Sequence, residues 1–197
     1  ALPVFGMPMN PMMMQMGRQG QEPWILISEL KRDFDVREVQ TTAERIDDDI
    51  QVLVVIHPRD LSDAAQYAID QFVLRGGRLV AFVDPLSFAD NRSSGMNPLQ
   101  RATASGSTLD KLFKAWGVEF DVGKCVSDMS YKTALPRNNR LEDAPTVLSL
   151  TRTAMASDDV VTGQLDNILL PYAGAFTGSV APGLQKTVLF RSSTNAM

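Results

Sequence analysis

The sequence predicts an α/β fold with an open, mainly parallel sheet flanked by helices. Two short apolar runs, Val52–Ile56 and Leu79–Val83, have the β-branched composition of strands that are buried on both faces. Between them, Ser62–Arg75 carries apolar residues at helical spacing behind a serine N-cap, and Gly76 and Gly77 end the helix. A strand, a helix and a strand within about forty residues form a βαβ unit, so we expect the two strands to be adjacent and parallel.

Weaker patterns flank this unit. Pro23 is expected in the first turn of a helix, and Phe34–Val39 alternates apolar and charged residues as a half-exposed strand does. Ser107 is expected to cap a short helix over Leu109–Trp116, which Gly117 follows. Further strand candidates, including Thr146–Leu150, make the C-terminal part of the chain richer in β structure.

These patterns divide the chain into three parts. Residues 1–21 form a Met- and Pro-rich irregular segment, in which the prolines exclude a continuous helix. Residues 22–126 are the predicted α/β core, and residues 127–197 form a β-richer portion that packs on this core. A length of 197 residues is compatible with one domain overall.

The composition excludes several classes of function. A net charge of −4 without a basic stripe argues against a nucleic-acid partner. Cys125 is the only cysteine, so neither an intramolecular disulfide nor a cysteine-only zinc site is possible. No apolar run approaches the roughly 18–20 residues that span a bilayer. Because the chain starts at Ala1 without a preceding Met, we expect a soluble fragment of a longer membrane protein.

The strongest candidate binding site lies at the carboxyl ends of the two predicted strands, where open α/β sheets bind ligands. His57, the only histidine, follows the first strand together with Arg59, and Asp84 follows the second. With the loop Ser87–Gly106, these residues form a reasonable pocket for a ligand or a partner. The alternative is that His57 and Asp84 only bond to loop backbone and terminate the strands.

Enzymatic activity is not expected. Cys125 lies in a strand-like context without the strand-to-helix elbow that exposes a nucleophile, and no Gly-x-Ser-x-Gly motif is present. Neither Gly17–Gly20 nor Arg75–Arg78 has the spacing of a phosphate-binding loop, so no nucleotide or other cofactor is expected. The runner-up hypothesis is a small-ligand or carbohydrate-related enzyme on a flavodoxin-like or amidotransferase-like scaffold, although a shared scaffold does not carry function.

The N-terminal methionines raise a hypothesis of another class. Met12, Met13 and Met14 belong to a cluster that could supply soft thioether ligands to Cu(I). The alternative, which we favour over a metal site, is that these flexible side chains form an adaptable apolar surface for a partner or for the core. The segment Gly6–Gly20 and the loop Ser87–Gly106 are the expected recognition surfaces.

Two charged residues are further candidates. Arg18 is a lone charge in a Gly-flanked apolar segment, and Asp166 precedes the apolar run Ile168–Leu170. Either residue could clamp a ligand, for which the guanidinium fork of arginine is well suited. The alternative is an internal ion pair or a loop anchor, because a buried charge usually needs a partner.

The same residues carry a family resemblance. The stretch from Val54 to Ser87, VVIHPRDLSDAAQYAIDQFVLRGGRLVAFVDPLS, resembles the auxiliary subunit of bacterial ABC transport systems of the gliding-motility type. Further similar blocks are FGMPMNPMMMQMGRQG at Phe5–Gly20, FDVREV at Phe34–Val39 and DNILLPYAGAFTG at Asp166–Gly178. The blocks occur in the order of the family and span nearly the whole chain.

The resemblance implies a non-enzymatic extracytoplasmic domain of a membrane-anchored ABC-transporter auxiliary subunit. Its implied partners are an ABC permease and a separate ATPase subunit, and a small-molecule or glycan ligand is possible. The implied location is the bacterial inner membrane, with this part of the protein on the periplasmic side. The domain would bind a substrate or a partner protein in support of transport.

Overall fold

The structure, a computed structural model, describes residues 2–6, 22–87, 89–90, 105–137 and 139–197. Within these ranges the chain has a mixed α/β fold with three α-helices and small sheets. The chain divides into two compact units. The first comprises Ala1–Ile56 and Asp60–Val80, and the second comprises His57–Arg59 and Ala81–Met197.

The predicted strand–helix–strand order is present. Helix α1 (Ile25–Asp33) precedes strand β1 (Val52–Ile56), helix α2 (Asp63–Leu74) and strand β2 (Arg78–Phe82). The hydroxyl of Ser62 accepts a hydrogen bond at 3.1 Å from the backbone N–H three residues further on, as the predicted N-cap requires. Local sequence signals therefore fix the bounds of α2 well.

Strands β1 and β2 are adjacent in one two-stranded sheet. At one end Arg78 N–H donates to Gln51 O at 3.1 Å, and at the other His57 N–H donates to Phe82 O at 2.9 Å. Because the residue numbers rise together along both strands, the pair is parallel. The predicted pairing is confirmed.

The prediction that these strands are buried on both faces is wrong. Val52, Val54 and Val80 are 47%, 38% and 42% exposed, whereas Leu53 between the two valines of β1 is only 7% exposed. Side chains alternate between the faces of a strand, so one face of β1 is covered and the other meets solvent. The buried residues of α2 are Ala65, Ala68, Ile69 and Phe72.

Two flanking predictions also differ from the structure. Helix α1 begins at Ile25 behind Trp24, so Pro23 lies before the helix instead of in its first turn. Phe34–Val39 is not a strand. Its charged residues make surface contacts instead, and Arg37 donates to Asp49 at 2.7 Å. An alternating pattern forms a strand only where a neighbouring strand accepts its hydrogen bonds.

Among its described residues, the second unit contains two antiparallel sheets. Strand β3 (Glu119–Phe120) pairs with β7 (Phe176–Thr177). Strands β4 (Lys132–Arg137), β5 (Arg140–Thr151) and β6 (Asn167–Pro171) form a three-stranded sheet in the order β4–β5–β6. The mixed α/β class is thus correct, but the expectation of an open, mainly parallel sheet is wrong.

The short connection between β4 and β5 explains this difference. Arg137 pairs with Arg140, so only two residues separate the strands, and Asn139 has a left-handed backbone with φ of +59°. Such a connection can only produce a hairpin, because a parallel crossover needs a dozen or more residues. The βαβ unit is therefore not extended into a larger parallel sheet within the described residues.

Helix α3 (Asp110–Trp116) and a core cluster complete the second unit. Leu109, not Ser107, occupies the N-cap position of α3, and Gly117 ends the helix with φ of +71°. The buried core of the antiparallel sheet consists of Leu148, Leu150 and Ala154. Partly buried side chains that pack against this core are Val126, Tyr131, Met155, Ile168, Leu170 and Phe190.

Candidate functional site

Charged side chains meet in the second unit just beyond the ends of β1 and β2. His57 directly follows β1 and has a left-handed backbone with φ of +52°, which is uncommon for a residue with a side chain. This conformation turns the chain sharply before Pro58, whose carbonyl accepts a hydrogen bond from Thr108 N–H at 3.2 Å. Backbone strain of this kind concentrates at functional sites.

Asp90 is the centre of this cluster. Arg59 Nη1 donates to Asp90 Oδ2 at 2.6 Å, and His57 Nε2 lies 3.3 Å from the same oxygen. The side chains of His57 and Asp90 are both only 3% exposed, and that of Arg59 is 23% exposed. Because an ionised carboxylate can only accept, the hydrogen bond requires a proton on His57 Nε2. We call these three residues the Asp90 network.

Backbone hydrogen bonds hold two neighbouring segments side by side. Asp84 N–H donates to Ser107 Oγ at 3.0 Å, and Ser107 N–H donates to Asp84 O at 2.7 Å. Ser87 N–H donates to Ser105 O at 3.3 Å. The side chain predicted to cap α3 thus fastens the end of β2 to a later part of the chain.

The carboxyl group of Asp84 occupies an unfavourable environment. Burial raises its pKa, and the nearby imidazole of His57 offsets this only in part. No residue within the described ranges donates a hydrogen bond to this carboxylate. Two neighbouring polar atoms, His57 Nδ1 and Ser105 Oγ, are buried and likewise lack hydrogen-bond partners among the described residues. Within the described residues, two buried polar atoms here therefore have unused bonding capacity, and the carboxyl group of Asp84 is partly withdrawn from solvent.

An aromatic wall adjoins the cluster. A Cβ atom at Gly174 would lie 2.5 Å from the ring of Phe120 and 3.3 Å from Pro85, so only glycine allows this close approach. The ring of Phe176 lies 5.1 Å from that of Phe120 and remains 53% exposed. The block Asp166–Gly178 thus contributes to the same region as the end of β2.

The predicted site residues fall into three groups. His57 and Arg59 meet at the carboxylate of Asp90, and Asp84 lies near the imidazole of His57. Asp166 instead forms an exposed surface pair with Arg152 Nε at 2.7 Å, and its side chain is 84% exposed. Arg18, Met12, Met13 and Met14 lie outside the described residues.

Sequence reasoning missed Asp90 and Ser105, and it assigned Ser107 only the role of a helix cap. Asp90 and Ser105 belong to the polar stretch Ser87–Gly106, which is predicted to be a loop, and no local pattern distinguishes them from their neighbours. Their burial, between 0% and 5% exposure, was the informative property, and it appears only in the folded chain. Among the described residues, no group of three or more His, Cys, Asp or Glu side chains is arranged to hold a metal ion.

The chain belongs to the family described as ABC-type uncharacterized transport system, whose model matches residues 8–197. It is therefore an auxiliary component associated with an ABC transport system, as the resemblance implied. No curated protein and no solved structure is significantly similar to it. None of the helices within the described ranges has the length and apolar character to cross a membrane.

Proposed function

We propose that this chain is a non-enzymatic, extracytoplasmic domain of a membrane-anchored auxiliary subunit, and that it recognises a partner protein of the transporter. The recognition surface surrounds the Asp90 network and includes the exposed residue Ala89 beside it. In this role the domain links the permease and a separate ATPase subunit to a component outside the cytoplasm.

The Asp90 network is the observation that carries this proposal. An almost fully buried carboxylate that binds an arginine and the only histidine is costly to desolvate, so simple stability does not account for it. Such networks fix the geometry of the segments that carry them. Here they fix the turn after β1 and the segment after β2, which are the positions where α/β sheets bind their ligands.

The geometry favours recognition over catalysis. A nucleophile must lie within hydrogen-bond reach of its base, and within the described ranges no Ser, Thr or Cys side chain is hydrogen-bonded to His57. Ser105 and Ser107 are almost completely buried, which shields their hydroxyls from a substrate. Cys125 is half-buried, and no described contact joins it to His57.

A surface variant tests the recognition site without disturbing the buried network. In the full-length protein, Ala89→Trp should reduce co-purification of the permease and ATPase subunits by about tenfold, because a bulky ring blocks the surface. Leu141→Trp is the matched control, since Leu141 is 74% exposed on β5, and this change should leave the yield unaltered. Equal recovery with both variants would contradict the proposed site.

The proposed location has a separate test. Protease added to intact spheroplasts should cleave this domain, whereas a cytoplasmic domain should be cut only after lysis. The exposed turn at Thr41–Thr42 offers an accessible cleavage region. Protection in intact spheroplasts would contradict the extracytoplasmic placement.

A small polar ligand is a second candidate for the same region. The supporting observations are the unused bonding capacity of His57 Nδ1 and Ser105 Oγ among the described residues and the partial burial of the Asp84 carboxyl group. Because His57 is the only histidine, its imidazole nitrogens give unambiguous NMR signals. A shift of the Nδ1 signal on adding small polyols or amines supports this candidate, and unchanged signals exclude those ligands.

A further inference from the structure

A rigid turn lies at residues 157–163, between strands β5 and β6 of the three-stranded sheet. The hydroxyl of Thr162, which is 1% exposed, donates to Ala156 O at 2.5 Å. Gly163 N–H donates to Asp159 O at 2.7 Å, and Val161 N–H donates to Asp159 Oδ1 at 2.8 Å. A buried side chain and several backbone hydrogen bonds therefore hold this turn in one conformation.

The outward residues of this rigid turn are apolar. Val160 is 95% exposed and Val161 is 61% exposed. Turns favour Gly, Asn, Asp and Ser, whereas β-branched residues favour strands, so backbone preference does not account for two valines here. Burial against the described part of the chain does not account for them either. We call residues 157–163 the valine tip.

Two acidic residues directly precede the two valines in the sequence. Asp158 is exposed, and the carboxylate of Asp159 accepts the hydrogen bond from Val161 N–H within the turn. A surface that matches the valine tip must therefore be apolar at its centre and basic at its rim. A tip that is already rigid loses little conformational entropy when it binds.

We propose that the valine tip inserts into an apolar pocket with a basic rim on another protein subunit of the transporter. The identity of the partner as a transporter subunit rests on the function proposed above. The contact itself rests on the rigid turn, the exposed valines and the two carboxylates that precede them. The tip and the surface around Ala89 are separate contacts.

Other occupants fit the chemistry less well. The anionic lipid surface of a membrane repels Asp158 and Asp159. A second copy of this chain would have to offer an apolar pocket with a basic rim. A cavity of about 460 Å³ among the described residues is lined mainly by charged, polar and glycine residues, including Arg75, Arg78 and Asp48, and Ile50 is its one apolar side chain. Arg75 is also engaged with Ile46 O, at 2.6 Å.

The test measures binding of the full-length protein to the immobilised, detergent-solubilised permease–ATPase complex. The double variant Val160→Ser/Val161→Ser should weaken binding by about 10- to 100-fold, because two apolar anchors are lost. Leu141→Ser, which alters an exposed apolar residue on β5, is the matched control and should change nothing. Asp158→Lys should slow association and reduce its dependence on salt.

Each outcome has one meaning. Normal binding by the double variant overturns the valine tip as a contact while leaving the proposed function intact. Failure of the wild-type protein to bind the complex contradicts the proposed function and, with it, the assignment of the partner. Loss of self-association in the double variant, or its loss of binding to anionic vesicles, overturns the inference in favour of a second copy or a lipid surface.

Discussion

Arg59 and Asp90 lie 31 residues apart in the sequence, and their side chains form a direct 2.6 Å hydrogen bond. The two residues belong to the turn after β1 and the segment after β2. Because His57 contacts the same carboxylate oxygen, one buried acidic group joins both segments. We infer that this arrangement organises the recognition surface of the domain.

Replacing Asp90 tests the strength of this arrangement. Asp90→Asn should lower the free energy of unfolding by about 2–3 kcal/mol, which is less than the full cost of breaking a buried pair because Arg59 is partly exposed. Asp166→Asn breaks an exposed pair and should cost less than about 0.5 kcal/mol. Urea unfolding of both variants measures the difference. Equal losses would mean that the Asp90 network is not a significant constraint.

Asp128 is expected to control acid stability. Burial would raise the pKa of its carboxyl group, but hydrogen bonds from Ser193 N–H, Ser193 Oγ and Ser130 N–H outweigh this and lower it. A lowered pKa contributes stability above the unfolded value of about 4, and this stability is lost as the pH falls through the folded value. Asp128→Asn should therefore lower the free energy of unfolding near pH 7 by about 1–3 kcal/mol. The variant should also lose less of its remaining stability than the wild type as the pH falls below about 4.

Salt distinguishes this buried effect from surface electrostatics. The pKa of exposed Asp121 is also lowered, first by the side chain of Lys124 and then by the backbone of Gly123. Asp121→Asn is therefore a matched control. Its effect on the loss of stability at acidic pH should shrink in 0.5–1 M salt, because the screening length is then only roughly 3 Å. The effect of Asp128→Asn should persist. A salt-sensitive effect at Asp128 would contradict its buried role.

Gly117 is predicted to be irreplaceable for two reasons. Its backbone has φ of +71°, and an added Cβ would lie 2.2 Å from Ser179 O. Gly183 has a similar φ of +87° with no atom within 4 Å of an added Cβ. Gly117→Ala should cost about 3 kcal/mol or more, and Gly183→Ala about 1 kcal/mol, because only the first adds a steric clash to backbone strain. Similar midpoints of thermal unfolding for the two variants would refute the close approach of Gly117 to Ser179 O.

The exposed face of β1 leads to a further prediction. Sequence composition alone suggests that Val54 lies in a doubly covered strand, where a charge would be severely destabilising. The structure places Leu53 on the covered face and leaves Val54 38% exposed. Leu53→Asp should therefore cost several kcal/mol, at least about 3, whereas Val54→Asp should cost about 1 kcal/mol or less. The reverse order in urea unfolding would show that the exposed face is covered.

These differences show which properties the sequence contains locally. The bounds of β1 and α2 follow from a few adjacent residues, such as the cap at Ser62, and they were predicted closely. Burial of Val54 depends on what lies across the sheet, which no local pattern specifies. The same limit applies to the site, because His57 could be chosen from its position after a strand, but Asp90 becomes significant only through its distant partners.

The charged residues elsewhere show the same distinction. Asp166 stands in a block that resembles the family, and its sequence context suggested an internal role. In the structure it is a surface residue paired with Arg152. Resemblance therefore identified the family correctly, whereas the roles of individual residues required the fold.

Site-specific photo-crosslinking tests the central proposal most directly. A photoreactive amino acid at position 89 of the full-length protein, in its native membrane, should crosslink to a permease or other transporter subunit. The same group at position 141, which is exposed on β5, should give no such product. Equal crosslinking from both positions, or none from position 89 while the transporter is assembled, would contradict recognition at the Asp90 network.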